Sequence, residues 1–557
     1  DLGLVTALPV TFWAALAVLT AGFAAIIAGR ARIGTALPAG YVLTLIAALH
    51  ATPALLYPNL RYAWAWKHVS IVEVLTARHS LPNVPDSTSL AAYSQWPGFF
   101  TLNTLLTQMT GASSAGSYAA WGPPLFNAAM IVPLVLLYRS ITGSRRLLWC
   151  GVWVYFISSW VGQDYFSPQA YSFVLYVLFL AVVVRRIGRP AAAGSSATPP
   201  WGELGLLLLI AAAIDSSHQL TPVMLVTVLA ALMIKRSRRK ALLPLFCGVV
   251  LVTAAWEATV GRPFLAAHLS TLVKAIGSLD ANTGSAFVTL SAVSRDQALI
   301  AWIDRGLTAG MGLLGVVALL RRPRLRSPLG WLALSPLVLL GMSDYGGEIA
   351  FRVYLFALPA LALLVAGLLL PASAGRRALR SVAARARAAT RPAVLAVAFT
   401  ALLSALIFAY YGKERGTSFT ADEVAAAAYV AAHTKPGEVI IGVNDDYPGA
   451  YTDYPDHSYV WFGLQDPDLA KRVTADPVGQ LGTLATISPD LAGYIVLTRS
   501  QDVVARQTGA LPPGAFEQIR GALDASPATP LVFGSPDARV YRIDLQSIAA
   551  PSRGGPS

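Results

Sequence analysis

The sequence predicts a polytopic α-helical membrane protein of about twelve transmembrane helices, followed by a C-terminal extracytoplasmic α/β domain. Three observations carry this. The chain is 55% hydrophobic and 13% charged, with a mean hydropathy of +0.56, about half the charged share of a soluble globular protein. Apolar stretches of membrane-spanning length recur along residues 1–410. Charge is also partitioned: residues 1–410 hold 31 Lys and Arg against 12 Asp and Glu, whereas residues 411–557 hold 11 against 17. Two segments with different solvents therefore meet near Tyr411. This composition excludes a soluble enzyme, a disordered chain and, with only Cys150 and Cys247, a disulfide scaffold. Both cysteines lie in apolar runs and are expected as buried free thiols. The net charge of +13 is too unevenly placed to indicate a nucleic-acid partner.

A bilayer core of roughly 30 Å takes about 20 helical residues. The candidate spans are 9–29, 39–56, 122–138, 147–162, 169–184, 202–214, 220–234, 241–256, 298–320, 328–343, 352–371 and 392–410. Lysine and arginine are retained on the cytoplasmic side. Alternate loops, carrying Arg30 and Arg32, Arg139 to Arg146, Arg185 to Arg189, Lys235 to Lys240, Arg321 to Arg326 and Arg376 to Arg391, hold 23 of the 31 cations. The opposite loops hold 11 of the 12 acids, all except Glu203. A single orientation thus satisfies every loop and puts the tail outside. Residues 9–29 are long enough to span and are not followed by a small-residue cleavage site, so they are expected as a span and not a signal peptide. Arginine outnumbers lysine 35 to 7 amid frequent alanine runs, which points to a multi-pass protein of a bacterial plasma membrane.

Polar residues converge on the outer face. In the first external loop, 57–121, Trp64, His68, Ile71, Leu75 and His79 recur at helical spacing, predicting an amphipathic interfacial helix with Trp64 and Trp66 at headgroup depth. After a Pro-rich turn, Tyr93-Ser94-Gln95-Trp96-Pro97-Gly98-Phe99-Phe100 opens a second helix. Short external segments then place Asp164, Tyr165 and Gln169, then Asp215, His218 and Gln219, and finally Asp344, Glu348 and Arg352 at span ends. Ionisable groups near membrane depth are costly and are functional candidates. Arg352 opens an apolar run on the side where the positive-inside bias disfavours arginine, and its guanidinium fork matches phosphate oxygens. Lys67 and His218 join it as donor phosphate-binding candidates. His68, Trp66, Tyr165, Gln169 and Gln219 are substrate-binding candidates. The candidate bases rank Asp164, Glu348, Glu73, Asp215 and Asp344. Asp164 leads because partial desolvation beside Tyr165 and Phe166 should raise its pKa towards the operating pH.

No Walker loop, dinucleotide glycine motif, HExxH or paired CxxC occurs. The sequence requires no cofactor. A divalent metal remains possible, and a lone His457 in an acidic loop is a poor ligand for one. The tail reads as a small α/β sheet: Thr420 caps a helix to about His433, and Val439–Val443, Tyr494–Leu497 and Arg539–Ile543 read as strands. Its acidic loops, Asn444-Asp445-Asp446 and Asp453-Tyr454-Pro455-Asp456, suit either sugar hydroxyls or solvated turns.

The run Arg61 to Pro82, the Tyr93–Phe100 segment, Phe166-Ser167-Pro168-Gln169 opening a span, and the layout of spans, early external loop and external tail together resemble the membrane-embedded GT-C glycosyltransferases. That superfamily includes protein mannosyltransferases, oligosaccharyltransferase catalytic subunits and aminoarabinose transferases. The resemblance implies a GT-C-like transmembrane domain over 1–410, with interfacial helices in 57–121, and an extracytoplasmic domain over 411–557. It implies transfer of a sugar from a polyprenyl-phosphate carrier to a glycan, lipid or protein acceptor at the outer face, commonly with inversion. The paired acids usual in the first external loop are missing: Ala63-Trp64-Ala65-Trp66 occupies that neighbourhood, leaving Glu73 and Asp86. Competing readings are a lipid-linked sugar transporter or flippase, a surface-polysaccharide polymerase or ligase, and a silent scaffold. Internal repeats and mid-membrane charges, expected of a transporter, are not evident.

Overall fold

A computed structural model describes residues 2–29, 31–82, 90–188, 200–279, 282, 284, 293–342, 347–370, 382–465, 467–488 and 490–544. Each of the expected spans falls on a helix. Among the described residues, eight helices are long and apolar enough to cross a bilayer. The remaining four stretches form shorter helices of 9 to 15 residues, the last prolonged by a 3₁₀ turn over Ser335–Gly341. The expected twelve spans are therefore eight full-length ones with four shorter helices packed among them.

In chain order the membrane region runs α1 (Val10–Ala28), α2 (Ala36–Leu56), α3 (Ala63–Arg78), α4 (Gly98–Thr110), α5 (Gly122–Ile141), α6 (Arg145–Phe156), α7 (Pro168–Gly188), α8 (Trp201–Asp215), α9 (Leu220–Met233), α10 (Arg236–Ala258), α11 (Arg262–Ala275), α12 (Arg295–Arg321), α13 (Arg326–Leu334), α14 (Ile349–Leu369) and α15 (Val382–Tyr411). Lipid tails are as apolar as leucine, so helices in a bilayer are joined by close packing and by polar contacts. Both are present. Gly151 of α6 lets Tyr138 and Leu363 approach its backbone, where a methyl group would stand 3.0 Å from Tyr138. Tyr138 donates to the Pro359 carbonyl at 2.7 Å, Tyr354 to the Ser158 carbonyl at 2.8 Å and Tyr411 to the Leu49 carbonyl at 2.6 Å. α14 is the central helix, with 83% of its apolar stretch buried, against 17% for α10. Cys150 is buried as expected, whereas Cys247 of α10 is exposed, because that helix turns most of its surface outward.

α3 departs from the expected interfacial placement. Its residues Lys67 to Val72 are all buried, because Phe99 and Phe100 of α4 cover one side and Tyr454 of the tail another. Trp64 stays partly exposed, while Trp66 turns inward and donates to the Leu60 carbonyl at 2.7 Å.

Beyond Tyr411 the chain forms α16 (Ala421–His433), β1 (Val439–Gly442), β2 (Ser458–Trp461), α17 (Pro467–Ala475), α18 (Pro477–Ala485), β3 (Ala492–Thr498), α19 (Arg499–Thr508), α20 (Ala515–Ala525), β4 (Leu531–Gly534) and β5 (Ala538–Asp544). Thr420 and Glu423 form a full capping box at the start of α16. The sheet order is β2-β1-β3-β5-β4, with β2, β1 and β3 parallel and β5 antiparallel to β3 and β4. Side chains alternate across a strand, so Val439, Ile441 and Val443 pack under α17, α18 and α20, while Ile440 packs under α16. Gly493 faces Val439 across the sheet, where any β-carbon would collide with the Val439 carbonyl oxygen.

The tail is tied to the segment 57–121 residue by residue. Asn59 donates to the Phe419 carbonyl at 3.1 Å, Arg61 pairs with Glu414, and the Tyr62 amide donates to the Thr417 carbonyl at 2.7 Å. Arg78 at the far end of α3 pairs with Asp456.

Candidate active site

Arg352 lies in the first turn of α14, buried, with one guanidinium nitrogen 3.1 Å from the Gln169 side-chain oxygen and another 2.5 Å from the Glu348 carboxylate. Gln169 is the second residue of α7, placed there because Pro168 suits the first helical position. Its amide nitrogen is buried without a partner among the described residues. His68 stacks on Tyr165, with ring centroids 5.6 Å apart and planes within 3°. Its Nδ1 donates to the Phe166 carbonyl at 2.8 Å, which leaves Nε2 as an acceptor. Burial pushes the His68 imidazole down to about 3, and Lys67 adds to that.

His218 does not act as a cation. Its Nδ1 accepts the amides of Leu220 and Thr221, each at 3.2 Å, and so caps α9. Burial, then the nearby Arg352 and His68, push it down to about 3. Gln219, half-buried, starts the same helix.

Lys67 is not a free phosphate ligand either. Its Nζ sits 4.2 Å from the Trp64 ring centroid, 5.0 Å from Tyr93 and 4.2 Å from Tyr451 of the tail. Burial lowers its pKa to about 8, against the pull of Asp445.

The four candidate carboxylates among the described residues separate. Glu348 joins Arg352. Asp164 lines a neighbouring cavity of about 170 Å³ shared with His50, Arg61, Tyr62, Tyr165 and Glu414. One of its oxygens accepts from His50 at 2.9 Å, Asn127 at 2.6 Å and Tyr410 at 3.4 Å. Burial raises its pKa as expected, but the His50 and Asn127 donors outweigh burial, so the carboxyl is held below the ordinary value of 3.8. The expected upward shift is thus reversed by hydrogen bonds that the sequence does not display. Glu73 lies five residues beyond His68, on the other side of α3, exposed and 2.5 Å from the Ser114 hydroxyl. Asp215 is buried at the end of α8, facing Thr253 and Glu257. Asp344 and Asp86 lie outside the described residues.

The structure adds residues that sequence reasoning missed. His50 sits in a π-helical turn, Ala47–Ala51, inside an apolar run. Such turns often mark functional sites, and a histidine at membrane depth is itself a signal. Arg61 and Tyr62 diverge because Tyr62 adopts φ 73°, ψ 117°, a conformation costing about 1–3 kcal/mol in a non-glycine residue. Arg61 turns to Glu414, whose carboxyl burial pushes up to about 7 despite the guanidinium. Tyr62 turns the other way and meets Tyr165 edge-on at 4.6 Å. From the tail, Asp445 faces Lys67, and burial followed by Asp445 pushes Asp446 up to about 7.

No protein-family model and no curated protein matches the sequence. Solved structures do match. The fold is similar to ArnT from Cupriavidus metallidurans bound to undecaprenyl phosphate, with a TM-score of 0.54 and 15% identity over 94% of this chain and 100% of that one. It is similar to the oligosaccharyltransferase AglB from Archaeoglobus fulgidus in complex with an inhibitory peptide and a dolichol-phosphate, with a TM-score of 0.56 and 12% identity over 87% and 71% of the two chains. The Archaeoglobus enzyme is also known in complex with Zn and sulfate, at a TM-score of 0.52 and 13% identity over 86% and 70%. Among the described residues here, no three His, Cys, Asp or Glu side chains are grouped to hold a metal. Asp164 accepts from His50, Asn127 and Tyr410, and Glu348 pairs with Arg352. The bundle of membrane helices with an α/β tail docked on the segment 57–121 gives this chain the fold of ArnT and of the oligosaccharyltransferase AglB.

Proposed function

We propose that the protein is a membrane glycosyltransferase. It takes a sugar from a polyprenyl-phosphate carrier at the outer face of a bacterial plasma membrane and passes it, with inversion, to a glycan, lipid or protein acceptor. The observation that carries this is Arg352: a buried guanidinium at the mouth of an otherwise apolar helix, flanked by a buried amide, suits an anionic lipid headgroup better than any solvent role. The undecaprenyl phosphate and dolichol-phosphate bound in the similar structures support the same donor class.

In the proposed reaction the acceptor oxygen attacks the anomeric carbon and the bond to the phosphate oxygen breaks. The bonding pair leaves with polyprenyl phosphate, whose growing charge Arg352 stabilises. The acceptor proton passes to a carboxylate. Asp164 fills that role best, its carboxyl held below the ordinary value by His50 and Asn127 and lining a cavity with Tyr62 and Tyr165. The neutral His68 and His218 add polarity without competing for the phosphate as fixed charges.

The test is turnover by the full chain in lipid nanodiscs, given polyprenyl-phosphate-linked sugars and candidate envelope acceptors, with release of polyprenyl phosphate as the readout. Release by wild type, abolished in Arg352→Ala, supports the reading. Movement of the intact lipid-linked sugar across proteoliposomes without release would identify a transporter instead.

A further inference from the structure

The Asp164 carboxylate is held by a side chain that comes from within an apolar helix. His50 lies in the π-helical turn Ala47–Ala51 of α2, a turn that uses one residue more than an α-helical one. Two consecutive tyrosines at the end of α15 grip that turn. Tyr411 donates to the Leu49 carbonyl at 2.6 Å. Tyr410 meets the His50 ring edge-on, with centroids 5.0 Å apart and its hydroxyl 3.1 Å from Nδ1. His50 is buried, and its Nδ1 stands 2.9 Å from one Asp164 oxygen. A carboxylate only accepts, so Nδ1 carries the proton of that contact. Asn127 of α5 and the Tyr410 hydroxyl reach the same oxygen at 2.6 and 3.4 Å. His50, Asp164 and Tyr410 all line the cavity of about 170 Å³. The other titratable groups that face Asp164 are Arg61 and Tyr155 of α6, while Lys413 and Glu414 also line the cavity.

We propose that His50 is a positioning residue: through Nδ1 it fixes the direction of the Asp164 carboxylate, so that one oxygen is tied down and the other is presented to the acceptor hydroxyl. This rests on the reading of Asp164 as the base of a glycosyltransferase. A histidine buried among apolar helices is costly, and a ring that served packing alone would need neither the π-turn nor a carboxylate partner. Here the backbone irregularity carries the ring to a carboxylate at the wall of a cavity, and Tyr410 and Tyr411 hold it there. Orientation of a reacting group is itself a large part of catalysis. Nδ1 already bears a proton, so His50 orients the carboxylate and does not relay the acceptor's proton through that nitrogen.

The experiment compares His50→Leu, which fills the space without a donor, with His50→Asn, whose amide nitrogen can take the place of Nδ1, using the full chain in nanodiscs. Two quantities are read: kcat and KM for polyprenyl-phosphate-linked sugars between pH 8 and 4, and the titration midpoint of Asp164. The midpoint comes from infrared difference spectra of the carboxyl stretch, each taken against the matching Asp164→Asn background. His50→Leu should lower kcat about tenfold or more with donor KM little changed, and should move the midpoint up by about one unit, because a donor to the charged form is lost. His50→Asn should recover part of both. A wild-type kcat in His50→Leu, or a fall in kcat with an unmoved midpoint, overturns the positioning role and leaves His50 to packing. A wild type that transfers no sugar overturns the glycosyltransferase reading, and the midpoint still decides by itself whether His50 holds the carboxylate.

Discussion

Arg352 donates to Gln169 at 3.1 Å across the interface of α14 and α7, so the only charge in the first turn of the central helix is fixed by the second residue of another. The two side chains are 183 residues apart. Their contact sets the direction of the guanidinium fork and leaves the amide nitrogen of Gln169 for a further acceptor.

If Arg352 holds the donor phosphate, Arg352→Ala should reduce transfer by at least about 10²-fold, and Arg352→Lys should recover little, because a point charge cannot reproduce two parallel hydrogen bonds. Gln169→Leu keeps the volume but frees the fork, and should raise KM about tenfold with a smaller change in kcat. Steady-state kinetics with a lipid-linked sugar checks both. Full activity of Arg352→Ala would remove it from the site.

Asp164→Asn should lower turnover by about 10²-fold or more with donor binding nearly intact, since the amide keeps shape and removes basicity. The His50 and Asn127 donors hold the carboxyl below its ordinary value, so this group should impose no acid limb on the rate between pH 8 and 5. A wild-type rate for Asp164→Asn together with an inactive Glu348→Gln would transfer the role to Glu348.

Asp446 gives a pH-dependent stability with a defined sign. Its folded pKa, about 7, lies above its ordinary 3.8. The folded chain therefore holds the proton more tightly than the unfolded one. The stabilisation is fully present below about pH 4 and is lost as pH rises through 7. The melting temperature of wild type relative to Asp446→Asn should fall across that window. A difference that is flat or rises with pH would show that Asp446 is not desolvated.

Tyr451 closes the ring cage over Lys67 from the tail side. A cation over an aromatic face is worth about 0.5–2 kcal/mol, so Tyr451→Ala should make the 411–420 linker several-fold more sensitive to limited proteolysis. Membrane-domain stability should be unaffected. Unchanged cleavage would mean that the strap between Asn59–Tyr62 and Glu414–Phe419 holds the tail without the cage.

Orientation is tested by single cysteines at Gly143 and Ser526 in a background lacking Cys150 and Cys247. The positive-inside argument places the first in the cytoplasm and the second outside. An impermeant reagent applied from outside should label only Ser526→Cys. Labelling of both would overturn the topology.

The sequence by itself determined the elements. Runs of apolar residues must become helices in a bilayer because no other local structure satisfies the backbone there. Strand alternation and the Thr420 cap likewise placed the tail's β1, β3, β5 and α16 nearly to the residue. Arg352, Gln169, Tyr165 and His68 stood out as candidates because they are polar groups among apolar surroundings. What only the tertiary structure decided is which of these groups meet, and in what charge state. Helical phase turned Glu73 away from His68. Three aromatic rings, one from the tail, enclosed Lys67, and two backbone amides made His218 a cap. Two donors from distant helices, His50 and Asn127, reversed the sign of the shift at Asp164. Burial and hydrogen bonding act over a few ångströms between residues far apart in sequence, so no local pattern encodes them. The same reason hid Arg61 and Glu414, which meet only when the linker straps the tail onto the segment 57–121.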